Sequence, residues 1–66
     1  MKNNYREMRK RAELSSTDAA AKLGVSLSTL MNWEAGRTSP DGYRLVAMAR
    51  LYRCTADELL ALSEVR

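Results

Sequence analysis

The sequence predicts an all-α fold: a compact domain of five short helices, the second and third joined by a tight turn. Three observations carry that expectation. Nowhere in the 66 residues is there sustained period-two alternation of β-branched residues, so no strand is predicted. Gly24, Gly36, Pro40 and Gly42 cut the chain into pieces of helical length. Each piece opens on a residue able to cap a helix, from Asn3 or Asn4 through Ser15, Ser26 and Asp41 to Thr55.

The first helix is expected over about residues 4–13. Asn3 or Asn4 can cap it, and Glu7 stands where a capping box begun at Asn4 would place an acid. Tyr5, Met8 and Ala12 form its narrow apolar stripe. The second helix starts after Ser15, whose hydroxyl can accept from the amide near Asp18, an acid that also suits the positive end of the helix dipole. Ala19, Ala20 and Leu23 face inward, and Gly24 supplies the left-handed conformation that closes a helix. Ser26 caps the third helix, Leu30 and Trp33 form its buried side, and Gly36 ends it. After the loop Thr38-Ser39-Pro40, Asp41 caps a fourth helix with the stripe Leu45, Met48, Ala49 and Tyr52. Thr55-Ala56-Asp57-Glu58 has the capping-box pattern and opens a fifth helix through Leu59, Leu60 and Leu62. Residues 1–66 read as one domain, with its core over about 4–62.

Composition narrows the function. A chain this short is near the lower limit for folding without disulfides or metal. Cys54 is the only cysteine and there is no histidine, so neither an internal disulfide nor a zinc site is expected, and Cys54 reads as a small core residue. Without histidine there is no ready general base at neutral pH, and Ser15, Ser16, Ser26 and Ser28 have no base near them in sequence. No enzyme, cofactor or metal is predicted. No apolar run approaches the roughly 20 residues of a membrane helix, and the N-terminus lacks a signal-peptide apolar region, which predicts a cytoplasmic protein without membrane contact. The formal net charge is +3 and unevenly spread. Lys2, Arg6, Arg9, Lys10 and Arg11 face only Glu7 in the first eleven residues, whereas Asp57, Glu58 and Glu64 outnumber Arg66 in the tail. A basic front suits a protein that offers one side to a polyanion.

The helix pair concentrates the remaining signal. Ala20 and Gly24 lie one turn apart on the second helix, small enough for the third to cross it closely. With Leu30 and Trp33 turned inward, the residues Leu27, Ser28, Met31, Asn32 and Ala35 share the outward face. That face is uncharged and able to approach base edges in the major groove of DNA, whereas a merely solvated face more often carries Lys–Glu pairs.

A longer pattern runs through Met8-Arg9-Lys10-Arg11-Ala12, Leu14-Ser15, Ala20, Lys22-Leu23-Gly24-Val25-Ser26, Ser28-Thr29-Leu30, Trp33-Glu34-Ala35-Gly36-Arg37, Pro40 and Thr55-Ala56-Asp57-Glu58-Leu59-Leu60. Across these residues, without a gap from about Met8 to Leu60, the chain resembles the lambda-repressor-like, Cro-type (XRE) helix-turn-helix family. The resemblance implies a five-helix domain that binds double-stranded DNA with its second and third helices, and a pairing of Arg9 with Glu34 that pins the recognition helix. It implies phosphate contacts at Ser16 and Arg37, with Lys22, Thr38 and Arg44 as helpers. Base contacts fall at Leu27, Ser28 and Asn32, with Ser26 and Thr29 close to the DNA backbone. Tyr43 can send its hydroxyl to a phosphate.

Better-understood members carry Gln, Arg or Lys at positions equivalent to Leu27 or Ser28. Here only Asn32 can make a bidentate base contact, adenine is its natural partner, and one such contact is worth roughly 1–3 kcal/mol. A site of A·T character with modest discrimination is therefore expected, read by a homodimer that forms at least on DNA. Leu59, Leu62 and Val65, with Ala56, are the expected two-fold contact. The predicted function is a sequence-specific transcriptional regulator acting as a repressor. The alternative is a protein-interaction module or antitoxin component that keeps the fold with weak or no DNA specificity. With six residues beyond Leu60 there is no room for a ligand-sensing domain, so regulation is expected from concentration, a partner protein or proteolysis.

Overall fold

The computed structural model describes residues 3–61. Within them the chain forms α1 (Tyr5–Arg11), α2 (Ser16–Leu23), α3 (Leu27–Ala35), α4 (Gly42–Tyr52) and α5 (Ala56–Leu59), with no strand. The apolar faces meet in one core. Leu30, Met48 and Leu59 are fully enclosed at its centre, surrounded by Tyr5, Met8, Ala19, Ala20, Leu23, Trp33 and Tyr52. Full burial of one such large side chain stabilises the fold by about 1.5–3 kcal/mol. No described helix is long and apolar enough to cross a membrane.

The helix starts are local chemistry. Ser15, Ser26 and Asp41 each accept a hydrogen bond from the amide three residues on, at 3.1, 3.1 and 2.8 Å. Thr55 and Glu58 form a complete capping box. Each cap satisfies an amide that a helix start leaves without a partner, and so selects where the helix begins.

The first helix departs from its expected form at both ends. Asn4 makes no side-chain cap to α1, so the capping box with Glu7 does not form. Its backbone amide donates instead to the Leu59 carbonyl at 2.9 Å and its side-chain amide to the Glu58 carbonyl at 3.0 Å. Asn4 thereby supplies partners to two carbonyls at the end of α5, of which that of Glu58 also accepts from the Ala61 amide at 3.3 Å. Asn3 takes the local role, accepting from the Tyr5 amide at 3.1 Å while donating to the Trp33 carbonyl at the end of α3 (3.3 Å). At its other end α1 stops at Arg11 rather than near residue 13, because Glu13 turns left-handed (φ 61°). The fifth helix is also shorter than expected, ending at Leu59. Leu62 lies outside the described residues.

Candidate nucleic-acid interface

The turn between α2 and α3 is set by Gly24 at φ 72°, a conformation that L side chains resist. The Gly24 amide returns to the Ala21 carbonyl (3.2 Å) and the Val25 amide to that of Ala20 (3.0 Å), the paired bonds of a Schellman motif. The sequence-based reason for Gly24 needs correction: a Cβ there would meet nothing within 4 Å, so close crossing of helices does not require glycine. Its backbone angle does. Ala20, by contrast, is buried within the core. α3 closes the same way, with Gly36 at φ 80°, its amide on the Trp33 carbonyl (3.0 Å) and the Arg37 amide on that of Asn32 (2.9 Å).

Between these two glycines α3 has two unlike sides. Leu30 and Trp33 are buried. Leu27, Ser28, Met31 and Ala35 are exposed, and Asn32 is half-buried at the border of that face. The Asn32 side-chain oxygen lies 3.5 Å from an Arg37 guanidinium nitrogen. At the start of α3, Ser26 and Thr29 engage each other. The Ser26 hydroxyl accepts from the Thr29 amide (3.1 Å) and donates to the Thr29 hydroxyl (2.9 Å). That leaves the Thr29 hydroxyl hydrogen as the free donor of the two.

Arg9 and Glu34 form a bidentate ion pair that ties α1 to the end of α3. Arg9 Nε lies 2.7 Å from Oε2 of Glu34 and its Nη2 3.2 Å from Oε1, while Nη1 donates to the Leu14 carbonyl at 3.1 Å. The two side chains are only 10% and 7% exposed. The hydrogen bond to Glu34 raises the Arg9 pKa further above its ordinary value, against the opposing effect of burial. A planar guanidinium held at three points restrains both helices at once. Beneath the pair lies Tyr52, whose buried hydroxyl has no hydrogen-bond partner. Burial first, and then the negative charge of Glu34, push its phenol up to about 12.

Ser16, at the first turn of α2, and Arg37, just beyond α3, line one shallow cleft. Its other walls are Met31, Ala35, the Arg9–Glu34 pair and Arg6. Arg6, which the sequence marks only as part of the basic front and not as a contact, stands one turn before Arg9 on the same flank of α1. Lys22 and Thr38 are exposed. Arg44 is less available than its charge suggested. It is half-buried, its Nε is enclosed without a partner, and its guanidinium lies 5.8 Å from the Tyr43 ring centre. Cys54 is half-buried against the core, and burial raises its thiol pKa. The expected two-fold contact loses one member, because Leu59 has no exposed surface and belongs to the core of its own chain. Ala56 is half-buried, and Leu62 and Val65 lie outside the described residues.

Comparison with known proteins agrees with this arrangement. A family model described as helix-turn-helix matches residues 6–59. The chain is 34% identical over 59 residues to the uncharacterized HTH-type transcriptional regulator YobD of Bacillus subtilis (strain 168), covering 89% of this chain and 53% of that protein. It is 33% identical over 60 residues to the HTH-type transcriptional regulator ImmR of the same organism, covering 91% of this chain and 47% of that one. The chain thus spans about half the length of these curated relatives. The match takes in α1 from its second residue and runs through α5, so it embraces the capped helix pair and the ion pair beneath it. The chain belongs to the lambda-repressor-like, XRE-type helix-turn-helix family.

Proposed function

We propose that this chain is a sequence-specific, double-stranded DNA-binding transcriptional regulator, a repressor that lays α3 in the major groove. The observation that carries the proposal is the outward side of α3. It is exposed, carries no unpaired charge, and is bordered by the Arg37 guanidinium and the hydroxyls of Ser16 and Thr29. Leu27, Ser28 and Asn32 read base edges, with Asn32 suited to adenine. Ser16, Thr29 and Arg37 hold phosphates, and Ser26 places Thr29 for that contact. Arg9, Glu34, Leu30 and Trp33 orient the reading helix without touching DNA. A homodimer on a two-fold repeated site would supply the discrimination that one module lacks. By occupying such a site in the cytoplasm, the protein excludes others from it.

Salt titration of duplex binding tests the proposal. Affinity is expected to fall log-linearly with salt, with a slope of about −0.9 per phosphate contacted. Asn32→Ala should relax preference at one base pair, and Arg37→Ala should weaken all sequences alike. Binding that is flat in salt, or absent from duplex DNA at low salt, would instead favour a protein-interaction module or antitoxin component. Tyr43 and Val46, exposed at 77% and 50% on α4, are the observation on that side.

A further inference from the structure

The cleft between α1, the start of α2 and the end of α3 has chemistry left over once Ser16 and Arg37 are assigned. The acid on its wall, Glu34, is held by Arg9 at 2.7 and 3.2 Å and is nearly enclosed, so its charge is cancelled and Arg9 is committed. What remains is the exposed guanidinium of Arg6 from α1, on the same cleft as that of Arg37 from beyond α3, with the apolar Met31 and Ala35 also on its walls. No carboxylate among the described residues pairs with Arg6. Two like charges on one cleft are relieved by an anion, and apolar walls beside them suit a sugar.

We infer that Arg6 is a DNA-backbone contact, which extends the interface from the helix pair onto α1. It grips the phosphodiester strand that Ser16 and Arg37 hold, with the deoxyribose against Met31 and Ala35. This inference rests on the DNA-binding reading above. It goes beyond that reading because it assigns to α1 a contact, not only the support of α3.

The same helix contains its own control. Arg11 carries the same charge and is also exposed, but it lines the opposite cleft beside Cys54 and Glu58, with Nη1 3.8 Å from the Met8 sulfur. Binding of a pool of random-sequence duplexes is followed by fluorescence anisotropy from 50 to 200 mM salt. Wild type is compared with Arg6→Ala, Arg6→Lys, Arg11→Ala and Arg37→Ala, each checked for native helicity. One phosphate contact corresponds to about a 3.5-fold loss of affinity over that fourfold range of salt. Wild type should therefore lose about 3.5-fold more affinity than Arg6→Ala, while Arg6→Lys and Arg11→Ala track wild type. An Arg6→Ala slope equal to wild type, or equal shifts for Arg6→Ala and Arg11→Ala, overturns the assignment. If Arg37→Ala flattens the slope and Arg6→Ala does not, only the Arg6 contact falls. If wild type shows no salt-dependent binding, the DNA-binding reading falls and takes the contact with it.

Discussion

The helix pair α2–α3 and the supporting helices α1 and α4 end in the same way with different residues. In both regions the last turn is closed by a left-handed residue whose amide, and the amide after it, fold back on the helix. In the pair that residue is Gly24 or Gly36, whereas α1 uses Glu13 at φ 61° and α4 uses Arg53 at φ 57°. The bonds match closely. Glu13 and Leu14 return to the carbonyls of Lys10 and Arg9 at 2.9 and 3.2 Å, and Arg53 and Cys54 to those of Arg50 and Ala49 at 3.3 and 2.9 Å. The contrast in the next residue along the chain is confined to Gly36, because Val25 after Gly24 packs against the core as Leu14 and Cys54 do. Leu14 and Cys54 pack against the core, so burial offsets the cost of a side chain in this conformation. The residue after Gly36 is the exposed Arg37, with no burial to offset that cost, and there glycine itself removes it. A side chain can close a helix where the next residue reaches the core, whereas α3, followed by an exposed residue at the proposed interface, is closed by the backbone freedom of glycine.

The largest expected effect comes from cutting the link between the two regions. Arg9→Ala leaves the nearly enclosed Glu34 carboxylate unpaired and is expected to cost about 3–5 kcal/mol in urea denaturation, whereas replacing both partners together with Met and Leu should cost far less. A loss below about 1 kcal/mol for Arg9→Ala would mean that the pair behaves as a solvated surface contact. Next comes an exchange of closing residues. Gly24→Ala should cost about 1–2 kcal/mol, all of it backbone strain because the Cβ meets nothing, and Arg53→Gly should stabilise by about 0.5–1 kcal/mol. Both substitutions shifting stability in the same direction would break the comparison.

The smallest effect is at Tyr52. Tyr52→Phe removes a buried hydroxyl without a partner, so thermal stability at neutral pH should stay level or rise by about 1 kcal/mol at most. The phenol stays protonated to about pH 12 in the fold and to about pH 10 unfolded. Its contribution is therefore complete below pH 10 and declines as pH climbs towards 12, because only the unfolded chain has released that proton. A wild-type and a Phe variant with identical alkaline unfolding curves would remove Tyr52 as the source of that decline.

Legibility tracked sequence distance. The starts at Ser15, Ser26, Asp41 and Thr55 and the glycine endings were readable because each depends on atoms within about four residues. The endings at Glu13 and Arg53 were not, since neither residue announces a left-handed conformation and the compensation comes from what Leu14 and Cys54 touch. Asn4 was misread for a related reason: it has an acid three residues on, as a capping box requires, yet its partner is the Glu58 carbonyl, 54 positions away. Leu59 was expected at a two-fold contact and lies in the core instead, because apolarity does not say which surface will cover it.

Alone, then, the order of residues determined that this is an all-helical chain, where most of its helices begin, and which glycines bend it into a pair. Those are consequences of short-range hydrogen bonding and of one missing Cβ. Only tertiary packing decided that α5 spends Leu59 inside and that two asparagines tether the chain's start to α3 and α5. The same packing brings Arg6 beside Ser16 and Arg37 in one cleft. Each of these joins groups far apart in sequence, and the free energy that brings them together comes from burial of the shared core, a property of the whole fold that no short window of residues contains.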